Sequence, residues 1–269
     1  MTPQSLMLNF LGLYVLGRDI AVYSGSVIDV FGRVDVSEEA VRSTLTRMTS
    51  RGLLAKHRNG RKVYFGLTAR ATAVLQDGER RIWQRGAVNR DWDGTWTLVG
   101  FSLPEGRRGE RHDLRSQLQW AGFGPVQNGL WIAPGARDVT ELVEGLAENV
   151  TVFTAQHAKP TEAADLARRA FDTAAIAARY QDFLAKWREP DASLPDDLAR
   201  QLVLHGDWLD LVRQDPHLPA ELLAGDWPAI EAERLFQSLA TRYAGTAAPL
   251  AAAAMESIAV PAVQKVHEN

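Results

Sequence analysis

Cysteine is missing from all 269 positions, and this one absence removes disulfide frameworks, thiolate zinc sites and cysteine nucleophiles together. It is in keeping with a reducing compartment. Long apolar runs are missing too, since none reaches the roughly 18 residues that a membrane span needs. The apolar start, MTPQSLMLNFLGLYVLG, has no positively charged lead and carries its polar residues at helical spacing, so it reads as an amphipathic helix and not as a cleaved signal. A cytoplasmic protein without membrane contact is expected. No phosphate-binding glycine loop, Gly-x-Ser-x-Gly elbow or His-Glu-x-x-His pair occurs, and His112 and His157 have no neighbours at zinc-ligand spacing. No metal, no cofactor and no catalytic centre are expected.

What is present is ordinary in bulk and uneven along the chain. An apolar fraction of 46% and a charged fraction of 23% are those of a soluble globular protein, and the length allows two or three compact units. The net charge of −3 conceals a division. Residues 1–90 hold 14 Lys+Arg and 7 Asp+Glu, a net +7, leaving −10 for the remainder. A basic region followed by an acidic one points to a polyanion as the partner of the first.

Within that basic region, Leu6, Phe10, Leu13 and Leu16 mark a first helix, about residues 4–16. Ser24 can cap a second, about residues 24–30. Ser37, followed by two acids, opens a third that Gly52 ends. On the third helix Val41, Leu45 and Met48 form an inward stripe. Ser43, Thr46 and Ser50 face outward between Arg42 and Arg47. A small, hydroxylated, basic face suits the major groove, where Arg pairs with guanine edges or phosphates and Ser or Thr with either. LLAKH and KVYFGLT then read as strands joined at RNGR, with Asn59-Gly60 as the turn. Lys56, Arg58, Arg61 and Lys62 crowd its tip, as phosphate or minor-groove contact requires. The order helix, helix, polar-faced helix, basic hairpin predicts a winged helix-turn-helix over residues 1–70.

After a linker helix, residues 71–90, the pattern changes. A strand at Trp96–Leu103, a helix at 109–121, strands at 124–127 and 130–133, a helix at 139–148 and a strand at 150–156 give the βαββαβ order of a ferredoxin-like domain, residues 91–158, expected to serve dimerisation and sensing. Arg108, Arg111 and Arg115 share a stripe of its first helix. The strand order resembles that of small CRISPR-associated endoribonucleases, which carry an acid near the end of their first strand; here Ser102 and Leu103 stand there, which argues against nuclease chemistry. Residues 159–245 read as a helical domain with Tyr180, Phe183 and Trp187 on one helix face. Residues 246–269 read as an alanine-rich tail forming a terminal helix or a frayed end. The fold class is α+β.

Three blocks carry a family resemblance: VRSTLTRMTSRGLLAKHRNGRKVYFGLT, WDGTWTLVGFSLPEGRRGERHDLRSQLQWAGFGPVQNGLWIAP and DPHLPAELLAGDWPAIEAERLF. They closely resemble the PaaX-like regulators, the phenylacetic acid catabolism repressors. The resemblance spans the chain to about Tyr243. It implies a homodimeric repressor on an inverted-repeat operator of double-stranded DNA, released by an acyl-CoA such as phenylacetyl-CoA. An effector pocket is expected at the junction of the ferredoxin-like and helical domains, with Arg115, Trp131, His205 and Trp208 as candidates. The competing readings are an enzyme, as a nuclease or as a hydrolase using His205 near Asp207 and Asp210, and an adaptor that keeps the winged helix for protein contacts.

Overall fold

Thr2 sets the first helix. Its hydroxyl accepts the Ser5 amide at 3.1 Å and Pro3 occupies the first turn, the position where a missing N–H costs nothing. In the computed structural model, which describes residues 2–83, 86–190 and 192–261, this helix, α1, runs Pro3–Tyr14. A strand not foreseen in the sequence, β1 (Ile20–Tyr23), follows, then α2 (Ser24–Gly32), α3 (Glu38–Ser50), the hairpin β2 (Leu54–Asn59) and β3 (Lys62–Leu67), and α4 (Ala69–Trp83). The Thr68 hydroxyl accepts the Ala71 amide at 3.2 Å and so caps α4.

The hairpin turn sits one residue later than expected. Asn59 pairs with Lys62, so Gly60 and Arg61 are the two central residues. Gly60 has φ of +59°, as a turn with glycine in its first central position requires. Arg61 therefore stands at the tip itself.

Next come β4 (Thr95–Phe101), α5 (Arg108–Trp120), β5 (Gly124–Gln127), β6 (Leu130–Pro134) and β7 (Val150–Gln156). The four strands form one antiparallel sheet in the order β5-β6-β4-β7, the ferredoxin-like arrangement. The second helix of that plan, expected at 139–148, is absent. Two 3-10 turns, Glu141–Val143 and Ala147–Asn149, take its place, with Gly145 at φ of +74° between them, where a continuous α-helix cannot pass. The remaining elements are α6 (Ala163–Ala170), α7 (Thr173–Arg188), α8 (Asp197–Arg213), α9 (Pro228–Ala254) and β8 (Ser257–Ala259).

These elements gather into two compact units. One comprises Met1–Gln84, Phe183–Asp210 and Arg234–Asn269; the other comprises Arg85–Asp182 and Leu211–Glu233. In the first, Leu6, Met7, Phe10, Leu11 and Tyr14 of α1 are all buried, a broader stripe than the one read from the sequence. They share a core with Val27 and Phe31 of α2, Val41, Leu45 and Met48 of α3, and Leu198, Leu202, Ala247 and Ala251 of α8 and α9. The expected tail is thus partly core: α9 continues to Ala254, and β8 joins the sheet beside β1, in the order β2-β3-β1-β8. Residues 262–269 lie outside the described residues.

Deeper in this unit, Trp208 stacks on Phe236 at 4.7 Å between ring centroids and Phe183 lies 5.4 Å from Trp208. His205 meets the edge of Phe236 at 5.3 Å. In the second unit, Val99, Leu114, Leu118, Phe123 and Trp131 form the core between sheet and α5. Its DPHLP turn is held by Asp215, whose buried carboxylate accepts from the Tyr180 hydroxyl and, at 2.6 Å, from the His217 amide. Burial raises the Asp215 pKa and pushes the Tyr180 hydroxyl up as well. Close packing reappears at Gly124, where a Cβ would collide with the Ala170 carbonyl.

Burial lowers the His205 pKa to about 4, below its unfolded value near 6.5. The unfolded chain therefore takes up this proton first. Stability should be complete above about pH 6.5 and fall by about 1.4 kcal/mol per pH unit from this group as pH drops toward 4. Urea titrations across that window should show a shallower fall for His205→Gln than for the native chain; equal slopes would refute the assignment.

Candidate nucleic-acid interface

Helix α3 is built to keep one face dry and the other bare. The Ser37 hydroxyl accepts the Ala40 amide at 3.3 Å, and Glu38 and Glu39 sit in the first turn, where the helix dipole favours acids. Val41, Thr44, Leu45 and Met48 are buried. Arg42, Ser43, Thr46, Arg47 and Ser50 are exposed. With Glu38 and Glu39 these five line an open concavity of about 740 Å³.

The hydroxyls on this face are oriented by the helix itself. Thr46 donates to the Arg42 carbonyl at 2.9 Å and Ser50 to the Arg47 carbonyl at 2.9 Å, which leaves their lone pairs outward as acceptors. Arg42 pairs with Glu38, Nη2 to Oε1 2.6 Å, with both side chains more than half exposed. A pair this open to water is weak, so an incoming phosphate can displace the carboxylate. Arg47 makes one long bond, 3.4 Å, to Thr44.

The hairpin separates the four basic residues that the sequence had grouped. Side chains alternate across a strand, and residues opposed in an antiparallel pair share a face. Lys56 opposes Phe65 and Arg58 opposes Val63. Phe65 packs on the core that contains α3, so Lys56 and Arg58 extend from the face of the sheet turned toward that helix. Lys62 lies on the other face with Tyr64 and His57. All four cations are exposed.

Lys62 also has a partner that local sequence could not reveal. Its ammonium donates to Glu256 at 2.5 Å, and the Tyr64 hydroxyl donates to the other oxygen of that carboxylate at 2.6 Å. The ammonium lies 4.9 Å from the Tyr23 ring centroid. These bonds hold the Glu256 carboxyl below its usual range and raise the Lys62 and Tyr64 pKa values, the hydrogen bond to Glu256 being the main cause in each. The backbone of the same residue is fixed: its amide donates to the Ser26 hydroxyl at 2.9 Å and its carbonyl accepts the Tyr23 amide at 2.9 Å. Glu256 is 194 positions from Lys62, and only the pairing of β8 with β1 brings it there.

The four residues expected at an effector pocket divide between the units. Arg115 is exposed on α5, and Trp131, 7% exposed, belongs to the core of the second unit. His205 and Trp208 lie in the first unit, at 4% and 1% exposure, both against Phe236. The His205 Nδ1 is 2.9 Å from the Gln201 carbonyl. Asp207 accepts from the Trp187 indole at 2.9 Å and from Lys186 at 2.6 Å. Among the described residues no group of three or more metal-ligating side chains converges.

Three family models match in chain order: PaaX-like protein over residues 2–71, PaaX protein central Cas2-like domain over 89–167, and PaaX-like protein C-terminal domain over 171–253. The chain belongs to the PaaX-like family. The transcriptional repressor PaaX of Escherichia coli (strain K12) is 28% identical over 260 residues, spanning 90% of this chain and 81% of that protein. A solved structure of an uncharacterized protein from Mycobacterium tuberculosis superposes with a TM-score of 0.64 at 23% identity, covering 94% of this chain and 98% of the other; at that identity the likeness is one of fold. In this PaaX-like chain the central match coincides with the ferredoxin-like sheet.

A chain ended after Ala254 should lose the strand that covers β1. Amide hydrogen exchange at Ile20–Tyr23, slow in the full chain, should become faster, with Tyr23 most affected because its amide bonds to the Glu256 carbonyl. Unchanged protection would mean that β8 contributes nothing to this sheet in solution.

Proposed function

We propose that the protein is a transcriptional repressor whose N-terminal segment is a winged helix-turn-helix. The observation that carries this reading is the bare face of α3, with Arg42, Ser43, Thr46, Arg47 and Ser50 exposed, next to a hairpin that extends Lys56 and Arg58 on the same side of its sheet and Arg61 at its tip. In this arrangement α3 enters the major groove, and its arginines and hydroxyls meet base edges and phosphates. The hairpin serves as the wing and meets the flanking backbone. Lys62, of the same basic set, is held by Glu256 and acts chiefly to fasten the wing. Membership of the PaaX-like family and the name of the Escherichia coli relative support a repressor and not an enzyme.

The finer reading is a cytoplasmic homodimer on an inverted repeat, since a two-fold protein places its recognition helices about one helical turn apart, or a multiple of it. An acyl-CoA thioester, such as phenylacetyl-CoA, is the proposed effector class. Of its four candidate residues, Arg115 can meet a phosphate without disturbing a core. Trp131, His205 and Trp208 would act through the packing around them.

The test is selection of bound fragments from sheared genomic DNA of the source organism, followed by affinity measurement across salt concentrations. One inverted-repeat site should be enriched. Arg58→Ala should flatten the plot of log K against log salt by about one unit per half-site, whereas Lys62→Ala should leave the slope nearly unchanged. Thr46→Ala or Arg47→Ala should cost about 1 to 3 kcal/mol at individual operator positions. Absence of any enriched sequence at moderate salt would overturn the reading.

A further inference from the structure

Strand β7 is the edge of the ferredoxin-like sheet. It pairs with β4 along its whole length, from Thr95 opposite Gln156 to Phe101 opposite Val150, and among the described residues no strand lies on its other side. Every residue from Thr151 to Gln156 is exposed. Phe153 is 61% and Val152 39% exposed, two of the four large hydrophobic side chains exposed among the described residues.

An open edge invites pairing, and soluble proteins ordinarily blunt it with a charge, a proline, a bulge or a very short strand. The sequence of β7, VTVFTAQ, has no charge and no proline, runs seven residues and pairs without a register shift. None of the usual protections is present.

We propose that β7 is the contact between two copies of this chain, joined antiparallel edge to edge into one continuous eight-stranded sheet. This rests on the homodimer reading above and names its surface. A two-fold axis sets like against like at the centre of an interface, so a central charge would repel its own copy; an uncharged strand avoids this. An axis perpendicular to the sheet keeps each face on its own side, so opposed residues have the same parity and the axis passes a residue, not a gap. Placing it at Phe153 stacks the more exposed of the strand's two large exposed hydrophobic side chains on its copy, with Thr151 opposite Ala155 and Val152 opposite Thr154. The ends then match in charge. The acidic approach to the strand, with Glu144 and Glu148 exposed, runs beside the exposed exit of the partner strand at His157 and Lys159.

Because the chain has no cysteine, the register can be tested by single substitutions in the full-length protein. Opposed residues of an antiparallel pair lie about 4.5 to 5.5 Å apart at Cα, within disulfide range. Under mild oxidation Phe153→Cys should cross-link to itself. Val152→Cys and Thr154→Cys should cross-link efficiently only when the two proteins are mixed. Trp120→Cys, at the even more exposed Trp120 (70% exposed), should not cross-link. In sedimentation velocity, Phe153→Lys should weaken self-association by about 100-fold or more, and Trp120→Lys should leave it unchanged. Failure of Phe153→Cys to cross-link, or a Phe153→Lys protein as dimeric as the native one, would overturn the proposal. A native chain that sediments as a monomer at micromolar concentration would overturn both it and the dimer reading. Binding of the Phe153→Lys protein to a single operator half-site reports separately on the repressor reading, which stands if that binding persists.

Discussion

The buried contact between α1 and the C-terminal helices is the constraint on which the rest of the first unit depends. Helix α1 buries residues on a wide arc, and α2 and α3 cover only part of it; Leu198, Leu202, Ala247 and Ala251 complete the core. Two polar links fix the register of that packing. The Tyr14 hydroxyl donates to Gln201 inside the core, and Arg33 pairs with Asp196, whose other oxygen caps α8 at the Ala199 amide. Leaving the buried Tyr14 or Gln201 unsatisfied would cost more than the bond itself contributes, so that link resists alternative alignments of the helices. The N-terminal helices are therefore not an independent module tethered to a separate domain.

This shared core explains how the basic surface is presented. α3 can leave one entire face bare because Val41, Leu45 and Met48 are held from beneath by α1. The hairpin gains a similar support from β8, which extends the sheet past β1 and delivers Glu256 to Lys62 and Tyr64. An acid so close to a basic hairpin lowers its net charge. It also leaves Arg61, Lys56 and Arg58 as the cations free of that carboxylate. The charge of the hairpin is thus adjusted by a residue near the other end of the chain.

The second unit follows a different logic, that of a sheet with buried side chains on both faces, Val99 and Trp131 on one and Trp96 and Ile132 on the other. Its core lies between the sheet and α5, and its DPHLP turn is fixed by the buried Asp215 with Tyr180. Arg137 adds bonds to the carbonyls of Ala121, Pro134 and Pro216. The DPHLP block, part of one of the three stretches that carry the family resemblance, is thus a structural clasp. β7 stands apart from this packing, uncharged and exposed, which is why it carries the proposed contact with a second copy.

Much of this was legible from the chain alone, because it rests on local periodicity and capping. The inward stripe of α3, its outward Arg42, Ser43, Thr46 and Arg47, the hairpin and the four strands of the ferredoxin-like sheet all follow from spacings within a few residues. The expected bounds of β5 and β7 coincide with the observed ones, and in β7 the β-branched run that follows Asn149 leaves little choice. Strand β1 was missed because four residues between two helices hold too little pattern to separate from a loop, and the helix expected at 139–148 dissolved into 3-10 turns around Gly145. What only the tertiary structure decided is long-range pairing. Local propensity determines that a segment forms a helix or a strand, but not which distant segment covers it. The union of α1 with α8 and α9 and the seat of Glu256 on Lys62 depend on contacts across more than a hundred residues, and no neighbouring residue records them.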